Sequence, residues 1–153
     1  MADTKLSLIN KQLDALLFNE TNLVANLANA SALINDTYSD LNWSGFYLYN
    51  NETDELDLGP FQGKVACMHI KNGSGVVGTA FKDQKIHRVA NVHDFPGHIA
   101  CDSASNSEIV VPITKDGKKI GVLDIDSPSL NRFTEENEQE LKQFVEVLIE
   151  HLN

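Results

Sequence analysis

The chain is short of cations, cysteines and prolines. Its 153 residues hold 12 Lys+Arg against 22 Asp+Glu, a formal charge of −10. Such a surface repels a phosphate backbone, which argues against nucleic acid as a partner, and it is equally unsuited to an anionic membrane face. No apolar run approaches the length of a membrane span. The opening MADTKLSLINKQ lacks a basic segment followed by an apolar one, so it does not read as a secretory signal. The expected location is therefore cytoplasmic, where thiols stay reduced. The chain has two cysteines, Cys67 and Cys101. In that compartment each is either a buried apolar filler or a reactive thiol.

What is present describes an ordinary globular domain. Hydrophobic residues make up 42% and charged residues 22%, enough to form a core that offsets chain entropy. No repeat, low-complexity tract or Pro/Gly-rich linker divides the sequence, so residues 1–153 are expected to form one domain. Apolar spacing predicts a helix over 5–18 (Leu6, Ile9, Leu13, Leu16, Leu17) and another over 21–38, capped by Thr21, with Leu23, Leu27, Ala30, Leu33 and Ile34 on one face. A third helix spans 134–152, capped by Thr134, with Glu135 and Glu136 in its first turn and a stripe of Leu141, Phe144, Leu148, Ile149 and Leu152. Strands are expected at 43–50, 55–61, 64–70, 109–114 and 118–126, with turns at NNETD and KDG. A short helix is expected at 76–82, and a long loop at 89–106. The fold class is α+β: N-terminal helices within 1–40, a central antiparallel sheet with its loops over 41–133, and a C-terminal helix in 134–153, the terminal helices covering one face.

Several motifs carry chemistry. In NGSGVVG, Gly73, Gly75 and Gly78 spell G-x-G-x-x-G, but without alternating βαβ units this reads as a tight turn into a helix rather than a dinucleotide site. Such a turn still offers backbone N–H groups to an anion. In VLDIDSP, alternation puts Asp124 and Asp126 on one face, with Leu123 and Ile125 on the core side. Two solvated carboxylates would be ordinary in themselves. Lining a concavity, they require a cation between them or a proton on one of them. Glu108 opens the partner strand; sequence alone leaves its facing undetermined. Trp43 and Tyr47 share one side of their strand, either as core or as an aromatic wall over a ligand. Cys67, His69, His98 and Cys101 include metal-ligating types, at spacings uncharacteristic of zinc. His87 and His93 have no evident partners and read as surface or turn residues.

The string GHIACDSASNSEIVVP (97–112) resembles the signature of the free methionine-(R)-sulfoxide reductases, thiol enzymes built on a GAF domain. NWSGFYLY (42–49), LGPFQGKVACMHI (58–70), GSGVVGTA (73–80), VHDFPGHIACDS (92–103) and GVLDIDSPSLNRF (121–133) resemble further family segments in the same order. The resemblance implies reduction of free methionine-(R)-sulfoxide without metal or organic cofactor. It implies Cys101 as nucleophile and Cys67 as resolving thiol, joined in a Cys67–Cys101 disulfide and recycled by thioredoxin. It further implies that Glu108, Asp124 and Asp126 hold the substrate and supply acid, and that Trp43 and Tyr47 lie near the substrate methyl and sulfur. GAF domains often pair through terminal helices, so a homodimer is also implied. One departure stands out: many members carry a third cysteine where this chain has Val77. The rival expectation is a GAF module that binds a small ligand without turnover.

Overall fold

The computed structural model describes residues 5–98, 101 and 103–153. Ile99, Ala100 and Asp102 of the 97–112 motif, and the opening MADT, lie outside the described residues. In chain order the elements are α1 (Leu8–Leu16), α2 (Leu23–Thr37), β1 (Trp43–Asn50), β2 (Glu55–Gly63), β3 (His69–Lys71), α3 (Gly75–Asp83), β4 (His87–Val89), β5 (Ser107–Lys115), β6 (Lys118–Ser127) and α4 (Glu135–Glu150). The strands form one six-stranded sheet in the order β3-β2-β1-β6-β5-β4, with antiparallel pairing throughout.

Period-two alternation splits the sheet residues between two apolar layers. Phe46, Ile109, Val111, Ile113, Leu123 and Ile125 pack against α1, α2 and α4, which supply Leu13, Leu27, Ile34, Leu141, Phe144 and Leu148. Trp43, Tyr47, Val110 and Val122 face the other way, beneath α3, with Val76, Val77, Ala80 and Phe81. The terminal helices thus cover one face, as the sequence suggests, and α3 covers part of the other. α4 is fixed at its start by a reciprocal capping box between Thr134 and Asn137.

Local details differ from the sequence expectations for identifiable reasons. Asn22, not Thr21, caps α2, its side chain accepting from the Ala25 N–H at 2.9 Å. Leu16 and Leu23, expected on buried stripes, are 46% and 41% exposed, Leu16 being the last residue of α1 and Leu23 the first of α2. The expected strand at 64–70 is mostly loop. Only His69, Ile70 and Lys71 pair with β2, opposite Asp57, Leu56 and Glu55. The region 89–106 contains one turn of 3-10 helix at Val92–Asp94, directly after the short edge strand β4. His87 and His93 do have partners, Asp83 at 3.2 Å and Asn106 at 3.0 Å.

Candidate active site

Strand register assembles the acidic centre. On β6, Asp124 and Asp126 point to the α3 side of the sheet. β5 places Glu108 opposite Asp126 and Val110 opposite Asp124; from the other flank β1 places Trp43 opposite Asp126 and Gly45 opposite Asp124. The facing of Glu108, open in the sequence, is therefore the same as that of the two aspartates. Carboxylate oxygens of Glu108, Asp124 and Asp126 lie within 4.8 Å of one another. Glu108 is 7% and Asp124 5% exposed.

Three carboxyls so close, Glu108 and Asp124 buried and Asp126 half-buried, cannot all be charged. Burial first, then the charges of Asp124 and Asp126, push the Glu108 carboxyl well above its usual range. Burial also raises Asp124 to about 6, although its hydrogen bond with Glu108 works in the opposite direction. A coherent arrangement has Glu108 protonated and donating to its neighbours. Among the described residues, the Asp124 Oδ1 atom is nevertheless buried without a hydrogen-bond partner. An unmatched buried acceptor is costly, and a ligand donor would relieve it.

An aromatic wall stands beside the acids. The Trp43 ring stacks on Tyr47 at 5.7 Å and on Phe61 at 5.0 Å between centroids. Gly45 makes this possible: a Cβ there would lie 2.3 Å from Phe61 Cβ. Trp43 Nε1 donates to the Lys64 carbonyl at 3.2 Å, and the Tyr47 hydroxyl donates to the Cys67 carbonyl at 2.9 Å. Burial, with the three nearby carboxyls adding to it, raises the Tyr47 pKa, so this hydroxyl keeps its proton. Trp43 and Tyr47 are at once buried core and cavity wall; the two sequence readings do not exclude each other here.

Cys67 and Cys101 form a disulfide, with Cα atoms 5.4 Å apart. Both are half-buried. Cys101 lines a cavity of about 50 Å³ together with Glu108, Asp124, Asp126, Trp43 and Tyr47. The first turn of α3 closes the far side with Ser74, Gly75, Val76 and Val77. Its backbone N–H groups precede the helix's own hydrogen bonding, which starts with the Gly78 N–H donating to the Ser74 carbonyl at 2.9 Å. Gly78 is required for that approach, since a Cβ there would meet the Lys71 carbonyl oxygen at 2.5 Å. The glycine-rich stretch is thus a tight turn into a helix, as its sequence suggests, and the helix's first residues line the cavity.

The sequence pattern gives no role to Ser105 in this cavity or to Phe61 stacked on Trp43, and singles out His98 only as a metal-ligating type. Phe61 sits in the GPFQG stretch of β2, where a bulge opposite Phe46, between the pairs Gly45–Phe61 and Tyr47–Leu58, brings it to Trp43. His98 lines the cavity, and burial followed by the neighbouring His93 lowers its pKa, favouring a neutral ring. The four-residue zinc set is not assembled as such. Both thiols are consumed in the disulfide, and exposed His69 pairs with Asp57 at 2.7 Å. Among the described residues, the groups able to hold a cation are Glu108–Asp124–Asp126 and Glu55–Asp57–His69, neither of which includes a cysteine.

The GAF domain family model matches residues 12–152. The chain is 53% identical to the free methionine-R-sulfoxide reductase of Escherichia coli over 137 residues, covering 90% of this chain and 82% of that protein. In structure it resembles the reduced form of fRMsr from Staphylococcus aureus, with a TM-score of 0.91, 49% identity and coverage of 95% and 94% of the two chains. It also resembles the free methionine-R-sulfoxide reductase of Neisseria meningitidis solved with its substrate, with a TM-score of 0.91, 39% identity and coverage of 99% and 95%. The likeness spans nearly the whole of each chain, and on these grounds the chain belongs to the GAF family and, within it, to the free methionine-R-sulfoxide reductases.

Proposed function

We propose that this chain reduces free L-methionine-(R)-sulfoxide to methionine, with Cys101 as nucleophile and Cys67 as resolving thiol. The observation that carries the reading is the juxtaposition, in one cavity, of a disulfide-forming cysteine and a buried carboxyl cluster with an unmatched acceptor on Asp124. A free amino acid brings an ammonium group, which a buried carboxylate cluster can receive. Its carboxylate meets the unclaimed N–H groups of the first turn of α3. Its methyl and sulfur pack against Trp43 and Tyr47.

The Cys101 thiolate attacks the sulfoxide sulfur as the sulfoxide oxygen takes a proton from the cluster, where burial favours the protonated form of Glu108. The hydroxyl so formed passes to the Cys101 sulfur as the bond between the two sulfurs breaks; methionine leaves, and Cys101 is left as a sulfenic acid. Cys67 condenses with it, releasing water and forming the disulfide. Two thiols of a donor, thioredoxin in this reading, restore both cysteines by exchange. Carboxyls around Cys101 disfavour its thiolate, and the arriving ammonium offsets them. With Val77 in the first turn of α3, the cycle runs through two cysteines and no third. The chain acts as one cytoplasmic domain. Exposed Leu8 (72%), Phe18 (71%) and Val24 (65%) on α1, α2 and their connection support pairing of two copies.

The test is NADPH consumption coupled through thioredoxin reductase and thioredoxin, with the R and S epimers offered separately. Turnover is expected with R alone and none with Cys101→Ser. Cys67→Ser is expected to complete one turnover and stall. Binding of the R epimer without reduction by the unaltered protein would replace this reading with that of a ligand-sensing module.

A further inference from the structure

The segment joining β2 to β3 sets two bare apolar side chains around one arm of the disulfide. Val65 is 89% and Met68 70% exposed, on either side of half-buried Cys67. The backbone beneath them is tied down. The Lys64 carbonyl accepts from Trp43 at 3.2 Å, the Cys67 carbonyl from Tyr47 at 2.9 Å, and the Met68 carbonyl from the Leu58 N–H at 2.9 Å. Single exposed apolar residues are ordinary. Two of them on an anchored backbone, bracketing a disulfide sulfur, form a rim. Among the described residues, the other large exposed apolar side chains belong to α1, α2 and their connection, or to Leu130.

The two sulfurs are not equivalent targets. Cys101 lines the cavity that holds Glu108, Asp124 and Asp126, where an incoming thiolate meets carboxyl groups. Cys67 is not in that lining; it sits in the stretch Lys64–Met68, which carries one cation and no acid in a chain with 22 acids. Exchange depends on access and on the anionic nucleophile; the two sulfurs are alike half-buried, and the carboxyls beside Cys101 disfavour a thiolate approaching there, which favours Cys67.

We infer that Val65 and Met68 are the docking rim for a dithiol protein of the thioredoxin type, which attacks the disulfide at Cys67. The inference rests on the reductase reading above. The donor thiolate bonds to Cys67 Sγ as the Cys67–Cys101 bond breaks, and Cys101 leaves with the electron pair and takes up a proton. The donor's second thiol gives up its proton and attacks the donor sulfur of the mixed disulfide, and Cys67 leaves and is protonated in turn. Two electrons and two protons pass from donor to enzyme, and the donor ends as a disulfide. A small dithiol reaches Cys67 without the rim; a protein must seat against it.

The experiment compares the unaltered chain with a Val65→Ser, Met68→Ser double variant under two reductants. With thioredoxin, kcat/KM for thioredoxin is expected to fall about tenfold in the variant, on the scale of losing one apolar side chain's burial. With saturating dithiothreitol, turnover is expected to be unchanged, as is the Tm. A thioredoxin whose second cysteine is serine is expected to be trapped on the Cys67 peptide, read by mass spectrometry. An unchanged kcat/KM for thioredoxin, an equal loss with dithiothreitol, or trapping on Cys101 overturns the inference. If the unaltered protein turns over with dithiothreitol but not with thioredoxin, the proposed occupant is wrong while the reductase reading stands. Turnover with neither overturns both.

Discussion

The two faces of the sheet are made from the same strands and do opposite things. On β6, Leu123 and Ile125 are sealed under α1, α2 and α4, while Asp124 and Asp126, alternating with them, point into the cavity beneath α3. On β5 the same split separates Ile109 and Val111 from Glu108 and Val110. One face holds apolar side chains that gain by leaving water. The other holds carboxyls that lose by it. A buried acid cluster is tolerable here because the opposite face supplies the stability, one residue away along each strand.

Breaking the apolar face should have the largest effect on folding. Leu123→Ala removes a fully buried side chain and is expected to cost about 2–5 kcal/mol in urea unfolding. Turnover per folded molecule should change little, because Leu123 points away from the cavity.

Neutralising the acid face should do the reverse. Asp124→Asn is expected to raise stability near pH 7.5 by about 1–3 kcal/mol while sharply weakening substrate binding. The sign follows from the titration. Asp124 has a folded pKa of about 6, above its ordinary 3.8, so the folded state binds this proton more tightly than the unfolded state does. The contribution of Asp124 to stability is therefore lost as pH rises from 3.8 to about 6, and it stays lost beyond. Glu108, raised in the same direction, extends that loss upward in pH. Denaturant midpoints for the two proteins should converge below pH 3.8 and separate fully above about pH 6. A gap independent of pH would mean that Asp124 is not held against its charge.

The smallest effect sharpens the contrast at its edge. The Thr134 side chain accepts from the Asn137 N–H at 3.1 Å at the start of α4. Thr134→Ala should cost about 1 kcal/mol, visible in thermal unfolding, with no change in KM, because α4 packs on the apolar face.

The parts legible in the sequence are those with a local signal. Alternation in VLDIDSP is enough to separate Asp124 and Asp126 from Leu123 and Ile125. The Thr134 cap and its acidic first turn mark α4. The glycine spacing at 73–78 reads correctly as a turn because nothing else in the chain supports a dinucleotide fold. The facing of Glu108 is not legible, since it depends on the pairing of β5 with β6, a register that shifts between Ile113 and Thr114. β4 is not legible either, because three residues carry no period. The stretch 64–70 reads as a strand on its apolar content, yet whether such a stretch pairs depends on the neighbour available, and β2 pairs only with its end. Phe61 reaches the Trp43 ring through a bulge and His98 reaches the cavity on a loop, neither of which has a signature in residue spacing. The pairing of Cys67 with Cys101 is implied by family resemblance alone; compartment and composition argue against a structural disulfide.

The sheet is open, and an open sheet has two borders. Here both borders are short: β3 and β4 are three residues each, beside inner strands of eight to ten. Each border carries a long cationic side chain, Lys71 on one and Arg88 on the other. A stranger's backbone would find few free amides and carbonyls in line, and a charge to desolvate before using them. The acid-bearing face can thus remain uncovered by helix over part of its area without the molecule becoming a template for its own aggregation.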